Sequence, residues 1–503
     1  MPLADGRTVT GPRDTLIPDV TTPVLDTLVA AGVVGLRLLH TDVVHPLLRR
    51  LGARDVGAGE LLVEPAVVDA VRASPVDVAA GVDVSLLAHA VLQMVAGAGI
   101  VAPAGFGELA LPARQGWRRA AELVLPDAAV LRLLDPAAIG PDGPLDVLDD
   151  GFAGEFARST MTAVGVLDRF EVVVDEEPAE PDHGLPDEDE WWHSRLQPPD
   201  RLLAVRDLDL VADDAWPAAL QLLAGDPDMW RALVEPGGHT GWWVARNALL
   251  AGAAPLDWRL PGATSLAGLY DPLPDVGLDE RTATAAGVRA QFAVEDVADA
   301  VDLLDRLGQR SRGVPPATAT RAHEALGSAA LDVARLPVPE RVRTLAGTVG
   351  AAADCVVLDA PWFLEVWPAA RLVPVAAWSA AEDLAELLDL PLATDHTPAR
   401  VVSAGEYQPW HELPAVVEVA ALLELSLSAL DWDGVVVHER LVMTVESVES
   451  VEHEVTWWVD GRLHTVDSTA GLARALAWAA GRWRDRYLIA ALLDDPDGAV
   501  LFG

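Results

Sequence analysis

The sequence predicts a multi-domain α+β protein: small β-hairpin and helix units repeat along the chain, the middle region is helical, and the carboxy-terminal domain is mixed α/β. Three observations predict this fold class. The 503 residues exceed the roughly 250 to 300 at which a single hydrophobic core stops growing. The element order of the first fifty residues returns near residue 345, and helical periodicity dominates residues 201–340.

The first fifty residues define the repeating unit. Residues 2–20 contain an Asp5-Gly6 turn, an alternating run at 8–10 and a second apolar run that ends at Pro18-Asp19, which together predict a hairpin. A helix, an apolar strand at 35–40 and a second helix at 42–53 follow. The predicted order is therefore hairpin, helix, strand, helix.

The same order recurs elsewhere. Residues 345–363 give the hairpin, 371–375 the strand and 379–393 the last helix, and a third hairpin is predicted at 111–129. Such recurrence indicates modules stacked in series, each too small to bury its apolar face alone.

Composition divides the chain into four segments. Residues 1–172 are predicted to form an α+β domain, 173–200 an acidic linker, 201–340 a mainly helical domain, and 341–503 an α+β domain that ends in a long helix from about Ala470 to Leu493. The linker prediction rests on a proline-interrupted acidic run at 175–190, because like charges and proline keep a chain extended.

Charge and composition exclude several partners and chemistries. With 77 acidic and 36 basic residues the formal net charge is -41, which repels nucleic acid and anionic membrane surfaces. Every basic residue is Arg, so lysine-based catalysis and phosphate loops are excluded. The uncharged stretch 84–107 reads as a buried helix, 86–96, followed by a Gly/Pro loop rather than a membrane span. The amino terminus carries no secretory pattern, so we expect a cytoplasmic protein.

No motif assigns a catalytic, cofactor-binding or metal-binding residue. Gly97, Gly99 and Ala102 match the letters of a dinucleotide turn but follow a helical pattern instead of a strand. The segment 182–193 has ligands enough for a hard cation but lacks the geometry of a calcium loop and reads as a solvated acidic run. The only cysteine, Cys355, lies in an apolar run. We therefore expect no cofactor; the sequence leaves open whether the protein is an enzyme and favours a non-catalytic role.

Tryptophan pairs and an arginine face are the speculative interaction surface. For each pair we expect one buried ring and one half-exposed ring, with a stacking platform as the alternative. The arginines share one face of the predicted last helix, where we expect pairing with the acidic surface or, alternatively, docking of an acidic partner. The residues are Trp242, Trp243, Trp457, Trp458, Arg474, Arg482 and Arg486.

Several phrases resemble a known family. They include PLADGR with LIPD, LLHTDVVHPLLRRLGA, AWPAALQLLAGDPDMWRALVEP, RLPGATSLAGLYDPLPDVGLDE and WWVDGRLHTVDSTAGLARALAWAAGRW. They look like the carboxy-terminal, post-ATPase region of actinobacterial sacsin-like proteins, whose amino-terminal ATP-binding domain is of the heat-shock-ninety and histidine-kinase type. Asn247 is the only Asn and no Asp-x-Gly-x-Gly follows it, so the ATP-binding domain is lacking and none of the family's nucleotide-site residues carry over.

The leading functional prediction is a non-catalytic protein-interaction scaffold. The resemblance implies a chaperone-like effector region that binds a protein partner or client, with an ATPase domain supplied in cis by a parent chain or in trans. The alternative is a soluble hydrolase that uses an Asp/Glu pair in an interdomain cleft, because 77 acidic residues offer many such pairs. A third hypothesis is a carbohydrate-binding module that uses the Trp pairs.

Overall fold

The chain forms two compact units. The computed structural model describes residues 1–99, 103, 105–195, 197–329, 333–445 and 451–495. Unit 1 comprises Met1–Leu260 and Leu273–Val288, and unit 2 comprises Pro261–Pro272 and Arg289–Gly503. Helices alternate with sheets of two to four strands, which confirms the α+β multi-domain fold class. The segment boundaries at 172, 200 and 340 stay predictions.

Unit 1 is built around one apolar core to which most of its elements contribute. Its strands are β1 (Leu16–Pro18), β2 (Arg54–Val56), β3 (Ala110–Ala113), β4 (Gly116–Arg119), β5 (Leu123–Val124), β6 (Asp146–Val147), β7 (Val172–Asp175), β8 (Leu202–Val205) and β9 (Trp258–Arg259). Its α-helices are α1 (Thr22–Ala30), α2 (Pro46–Arg50), α3 (Ala58–Leu62), α4 (Pro65–Ala79), α5 (Ser85–Ala98), α6 (Asp150–Ala153), α7 (Arg158–Ala163), α8 (Glu188–His193), α9 (Trp216–Gly225), α10 (Pro227–Val234), α11 (His239–Asn247) and α12 (Glu280–Ala285).

Unit 2 contains several smaller cores. Its strands are β10 (Asp271–Pro272), β11 (Arg341–Arg343), β12 (Val349–Ala351), β13 (Val356–Val357), β14 (Leu372–Val373), β15 (Ala399–Val401), β16 (Glu406–Pro409), β17 (Gly434–His438), β18 (Val442–Val445), β19 (Val451–Glu454), β20 (Trp457–Val459) and β21 (Leu463–Val466). Its α-helices are α13 (Val297–Gly308), α14 (Pro316–Ser328), α15 (Ala381–Leu388), α16 (Ala393–His396), α17 (Pro414–Leu422), α18 (Thr469–Ala479) and α19 (Arg486–Asp494).

A recurring arrangement occurs at three places: the sequence predicts the unit at two of them and a hairpin alone at the third. Each copy opens with an antiparallel hairpin: Pro2 bridges Thr8, β3 pairs with β4, and β11 pairs with β12. Gly6, Gly116 and Gly347 have positive φ in these turns, which glycine adopts at no steric cost. We refer to residues 2–56, 110–167 and 341–392 as copies 1, 2 and 3.

The second apolar run of each copy corrects the prediction, because it is not an arm of the hairpin. β1, β5 and β13 each pair in parallel with a later strand, namely β2, β6 and β14. Each also bridges a third segment in parallel, at Leu38, Leu167 and Leu392. The run is therefore the central strand of a small parallel cluster, and the copies extend to residues 56, 167 and 392.

Burial explains why the central strands pair in this way. Leu16, Val124 and Val357 are at most 3% exposed, and parallel strands of this kind are covered on both faces. A hairpin arm with one solvent face would alternate polar and apolar residues, whereas LIP, LVL and VVL do not.

The uncharged stretch 84–107 begins with α5, a core helix with buried Leu87, Val91 and Met94. Gly99 ends it in the left-handed region, as expected for a helix terminus. Ala102, the last residue that matches the letters of a dinucleotide turn, lies outside the described residues. In the part of the chain that the structure describes, no helix combines the length and apolarity needed to cross a membrane.

The long last helix predicted from 470 to 493 is two helices, α18 and α19. Gly481 has φ +63° and a 3-10 turn, Trp483–Asp485, separates them. The helices pack against each other and bury Leu476, Ile489 and Leu492. Helical spacing continues through the break in the sequence, so periodicity alone did not reveal it.

The acidic segment 173–200 contains β7 and α8 and packs within unit 1. Glu188 is 6% exposed: its carboxylate accepts the backbone amides of His183 and Leu185, and Oε1 lies 2.7 Å from His183 Nδ1. Trp191 is buried beside Leu202. Local pairing of carboxylates with amides and a histidine offsets the repulsion that composition suggests.

Candidate functional site: a groove beside an open strand edge

The tryptophan pair of α11 divides as expected. Trp243 is buried, and its Nε1 donates to Asp187 Oδ2 at 2.9 Å. Trp242 is half-buried, and the guanidinium carbon of Arg246 lies 5.0 Å from the centre of its ring. The ring of His239 lies 6.2 Å from that of Trp242, and the ring of Trp216 lies 5.9 Å from that of Trp243.

The pair on β20 corrects the expectation, because Trp457 and Trp458 are each 1% exposed. They point to opposite faces of the strand, yet both faces are covered. The ring of Trp457 stacks on Trp483 at 5.0 Å, and Trp458 lies edge-on to Phe363 at 5.2 Å. These rings are core residues and cannot receive a ligand.

The three arginines are not on one helix face. Arg474 of α18 donates to Glu365 Oε1 at 2.7 Å, and Arg482 pairs with Asp485 at 2.6 Å in the break between helices. Arg486 of α19 lies 4.3 Å from the ring centre of Tyr487. Intramolecular partners thus hold all three: Arg474 and Arg482 pair with acids, as expected, whereas Arg486 contacts aromatic rings and a backbone carbonyl.

A groove of about 1010 Å³ lies in unit 1 beside the ribbon formed by β7 and β8. The side chains of Val172, Val174 and Leu203, which share one face of this ribbon, line it. The opposite face of the ribbon packs on Leu185 and Trp191. Charged side chains border the groove: Glu122, Asp168, Arg169, Glu171, Arg201, Arg206, Asp207, Asp228 and Arg231.

The outer edge of β7 is open. The amide of Arg206 donates to the carbonyl of Glu171 at 2.9 Å, which fixes these residues as a hydrogen-bonded pair. Bonded and non-bonded pairs alternate in an antiparallel ribbon. The backbone groups of Val172 and Val174 therefore point away from β8. Within the described residues β7 pairs with β8 alone, and Val174 is 51% exposed.

The outer edge of β8, in contrast, is covered. The amide of Val205 points away from β7 and donates to Thr240 Oγ1 at 2.8 Å. Thr240 is buried in α11 and packs beside the strand. One ribbon thus has a closed edge and an open edge, and the open edge borders the groove.

Most charges of the groove are already paired. Arg206 lies 3.2 Å from Glu171, Arg231 lies 2.9 Å from Asp228, and Arg201 lies 3.3 Å from Glu176. Arg169 pairs with Asp226. Because positive and negative side chains are paired around the groove, its border is polar and has no strong electrostatic field of one sign.

Asp207 is the exception among these groups. Its carboxylate has no hydrogen bond or ion pair within the described residues, and it does not cap the 3-10 turn that follows it. Burial raises the pKa of this carboxyl; nearby Arg206 opposes the shift, and Asp209 and Glu171 add to it. Its φ of +60° is uncommon for a residue other than glycine.

Unit 2 contains a second polar cluster. Ser403 Oγ lies 3.0 Å from His438 Nδ1, His438 Nε2 lies 3.0 Å from His464 Nδ1, and His464 Nε2 lies 2.7 Å from Asp460 Oδ1. Both imidazoles are buried, and Ser403 Oγ accepts the amide of Val442. These contacts tie the turn after β15 to the sheet and serve the fold.

Sequence patterns predicted neither the pairing of β7 with β8 nor the groove. The signal was the run VVVD followed by acidic residues, and 26 residues separate this run from its partner β8. Among the described residues no group of three or more His, Cys, Asp or Glu side chains could hold a metal ion. Comparisons with protein-family models, curated proteins and solved structures find no match to this chain.

Proposed function

We propose that this protein is a non-catalytic interaction scaffold whose groove in unit 1 holds an extended segment of a partner polypeptide. The observation that carries the proposal is the open edge of β7 beside the groove. An exposed strand edge presents unpaired amides and carbonyls that another chain can pair with.

Strand addition gives this edge a defined way of binding. An added strand would pair with the outward backbone groups of Val172 and Val174. Because side chains alternate along a strand, every second side chain of the segment would enter the groove against Val174 and Leu203. Backbone pairing would supply affinity, and the groove would supply selectivity.

The resemblance to sacsin-like proteins extends the proposal to the partner. A chaperone-like effector region acts on a protein partner or client and works with an ATPase domain in cis or in trans. The acidic surface, with its net charge of -41, supports a polypeptide partner over nucleic acid and fits a cytoplasmic protein.

Selection from a phage-displayed library of random dodecapeptides tests the proposal. Val174→Pro removes the outward N–H of an edge position, where proline is tolerated, and Val174→Thr keeps that N–H as the matched control. We expect selected peptides to bind the wild type and Val174→Thr and to lose at least about tenfold in affinity for Val174→Pro. Equal binding to all three proteins would overturn the proposal.

A second candidate function, hydrolysis, is favoured by one observation. Asp207 has a raised pKa and lies close enough to Glu171 for the two charges to interact, as in carboxyl pairs that divide acid and base roles. Turnover of 4-nitrophenyl glycosides or 4-nitrophenyl acetate that Asp207→Asn abolishes would support a hydrolase. Equal rates of turnover by the wild type and Asp207→Asn would rule out hydrolysis at this carboxylate.

A further inference from the structure

We infer that the segment held at the open edge of β7 carries a lysine or arginine whose charge pairs with Asp207. The inference rests on the proposed function, since it names the chemistry of the segment that the groove takes. Its basis is the one carboxylate bordering the groove that is half-buried and lacks a partner in the described residues.

The arginines that border the groove do not pair with Asp207. Arg206 directs Nη1 toward Glu171 at 3.2 Å, and Arg231 directs Nη2 toward Asp228 at 2.9 Å. Arg169 is engaged with Asp226, and Arg201 with Glu176. Each cation bordering the groove is therefore committed to another acid.

A half-buried carboxylate without a partner is costly, because it has lost part of its hydration and gained no hydrogen bond. The backbone adds to the cost, since φ +60° at Asp207 is held by the surrounding fold. A cation supplied by a bound chain would offset the lost hydration with a charge-assisted hydrogen bond. A neutral or acidic side chain of the bound chain would not offset the lost hydration of the carboxylate.

The position of Asp207 suits a segment on the edge of β7. Arg206, its neighbour in sequence, forms the bonded pair with Glu171 at the start of the ribbon. Asp207 and the face of Val172 and Val174 line the same groove. A segment paired along β7 would therefore have side chains directed to the groove that Asp207 borders. The overall charge of -41 would also speed the approach of a cationic chain.

Peptide binding by the full chain tests the inference. The probe is a fluorescein-labelled decapeptide of alternating Lys and Val, and its neutral match is the same peptide with acetylated lysines. Asp207→Asn removes the charge, and Asp209→Asn is the matched control because Asp209 is exposed and adjacent. We expect Asp207→Asn to weaken binding of the Lys peptide about tenfold, and the other three combinations of variant and peptide to change by less than about twofold.

Acidification gives an independent readout. Since the pKa of Asp207 is raised, its carboxylate gains a proton earlier than an exposed aspartate as the pH falls. We expect the affinity for the Lys peptide to fall with pH in the wild type and to fall less in Asp207→Asn. The other groups that face Asp207, namely Arg206, Glu171 and Asp209, stay in both proteins and serve as the internal reference.

The outcomes separate this inference from the proposed function. If Val174→Pro abolishes binding of both peptides while Asp207→Asn changes neither, the scaffold proposal stands and the pairing falls. Equal weakening by Asp207→Asn and Asp209→Asn also overturns the pairing, because charge then acts only at long range. A chain that binds neither peptide overturns the pairing, and binding that Val174→Pro leaves unchanged overturns both.

Discussion

The two units contain the same small building block and differ in what surrounds it. In unit 1, copies 1 and 2 share one core, and the ribbon beside copy 2 keeps an open edge and an unpaired acid. In unit 2, aromatic rings and histidines lie inside the cores next to copy 3. The building block sets the topology, and the residues around it decide whether a surface is left for a partner.

The tryptophan pairs show the same difference at single residues. Trp242 stays half-buried on a helix of unit 1, whereas both rings of Trp457 and Trp458 are enclosed in unit 2. Adjacent aromatic residues thus indicate a binding surface only when one face of their element is left uncovered.

Removing a core ring should have the largest effect. Trp457→Ala deletes a side chain that is 1% exposed and stacked on Trp483, so unit 2 should lose about 3 to 5 kcal/mol in free energy of unfolding. Tyr487→Ala is the control, because Tyr487 is 71% exposed and should cost less than about 0.5 kcal/mol. Urea unfolding measures the free energy of unfolding of both variants. An equal loss in the two variants would place Trp457 outside the core.

Acid should weaken unit 2 through His323. Complete burial lowers the pKa of His323 to about 4, below the 6.5 of the unfolded chain. The unfolded state then binds the additional proton, so stability present above pH 6.5 is lost as the pH falls toward 4, by roughly 3 kcal/mol. His323→Asn keeps a donor for the carbonyl of Pro374 but does not titrate.

Urea unfolding of both proteins between pH 7 and 4.5 isolates this effect. Protonation of the many surface carboxylates is common to the two proteins, so the wild type should lose stability more steeply than His323→Asn. Parallel curves would show that His323 is not buried in the neutral form.

The hairpin turns should behave alike in both units, with a smaller effect. Gly116→Ala in copy 2 and Gly347→Ala in copy 3 place a Cβ at φ +92° and +77°, and each should cost about 1 kcal/mol. A Cβ would meet nothing within 4 Å at Gly116 and make only ordinary contacts at Gly347, so the cost is conformational. Gly225→Ala, in open space with no positive φ, is the control. Unequal costs at the two turns, measured by thermal unfolding, would argue against equivalent copies.

The sequence predicted the secondary-structure elements better than it predicted which strands pair with each other. The turn at Asp5-Gly6 follows from local backbone preferences, which neighbouring residues determine. The parallel pairing of the central strands and of β7 with β8 depends on burial between segments far apart in sequence. Asp207 could not be recognised either, because 77 acidic residues look alike until the fold shows which of those bordering the groove is half-buried and without a partner among the described residues.

Residue-resolved amide hydrogen exchange on the full chain tests the open edge most directly. In the free protein the amides of Val172 and Val174 should exchange quickly, and those of Val173 and Asp175 should be protected by β8. The Lys-Val decapeptide should then protect Val172 and Val174. If these two amides are already protected in the free protein, or stay unprotected with saturating peptide, the open edge of β7 does not hold a partner strand.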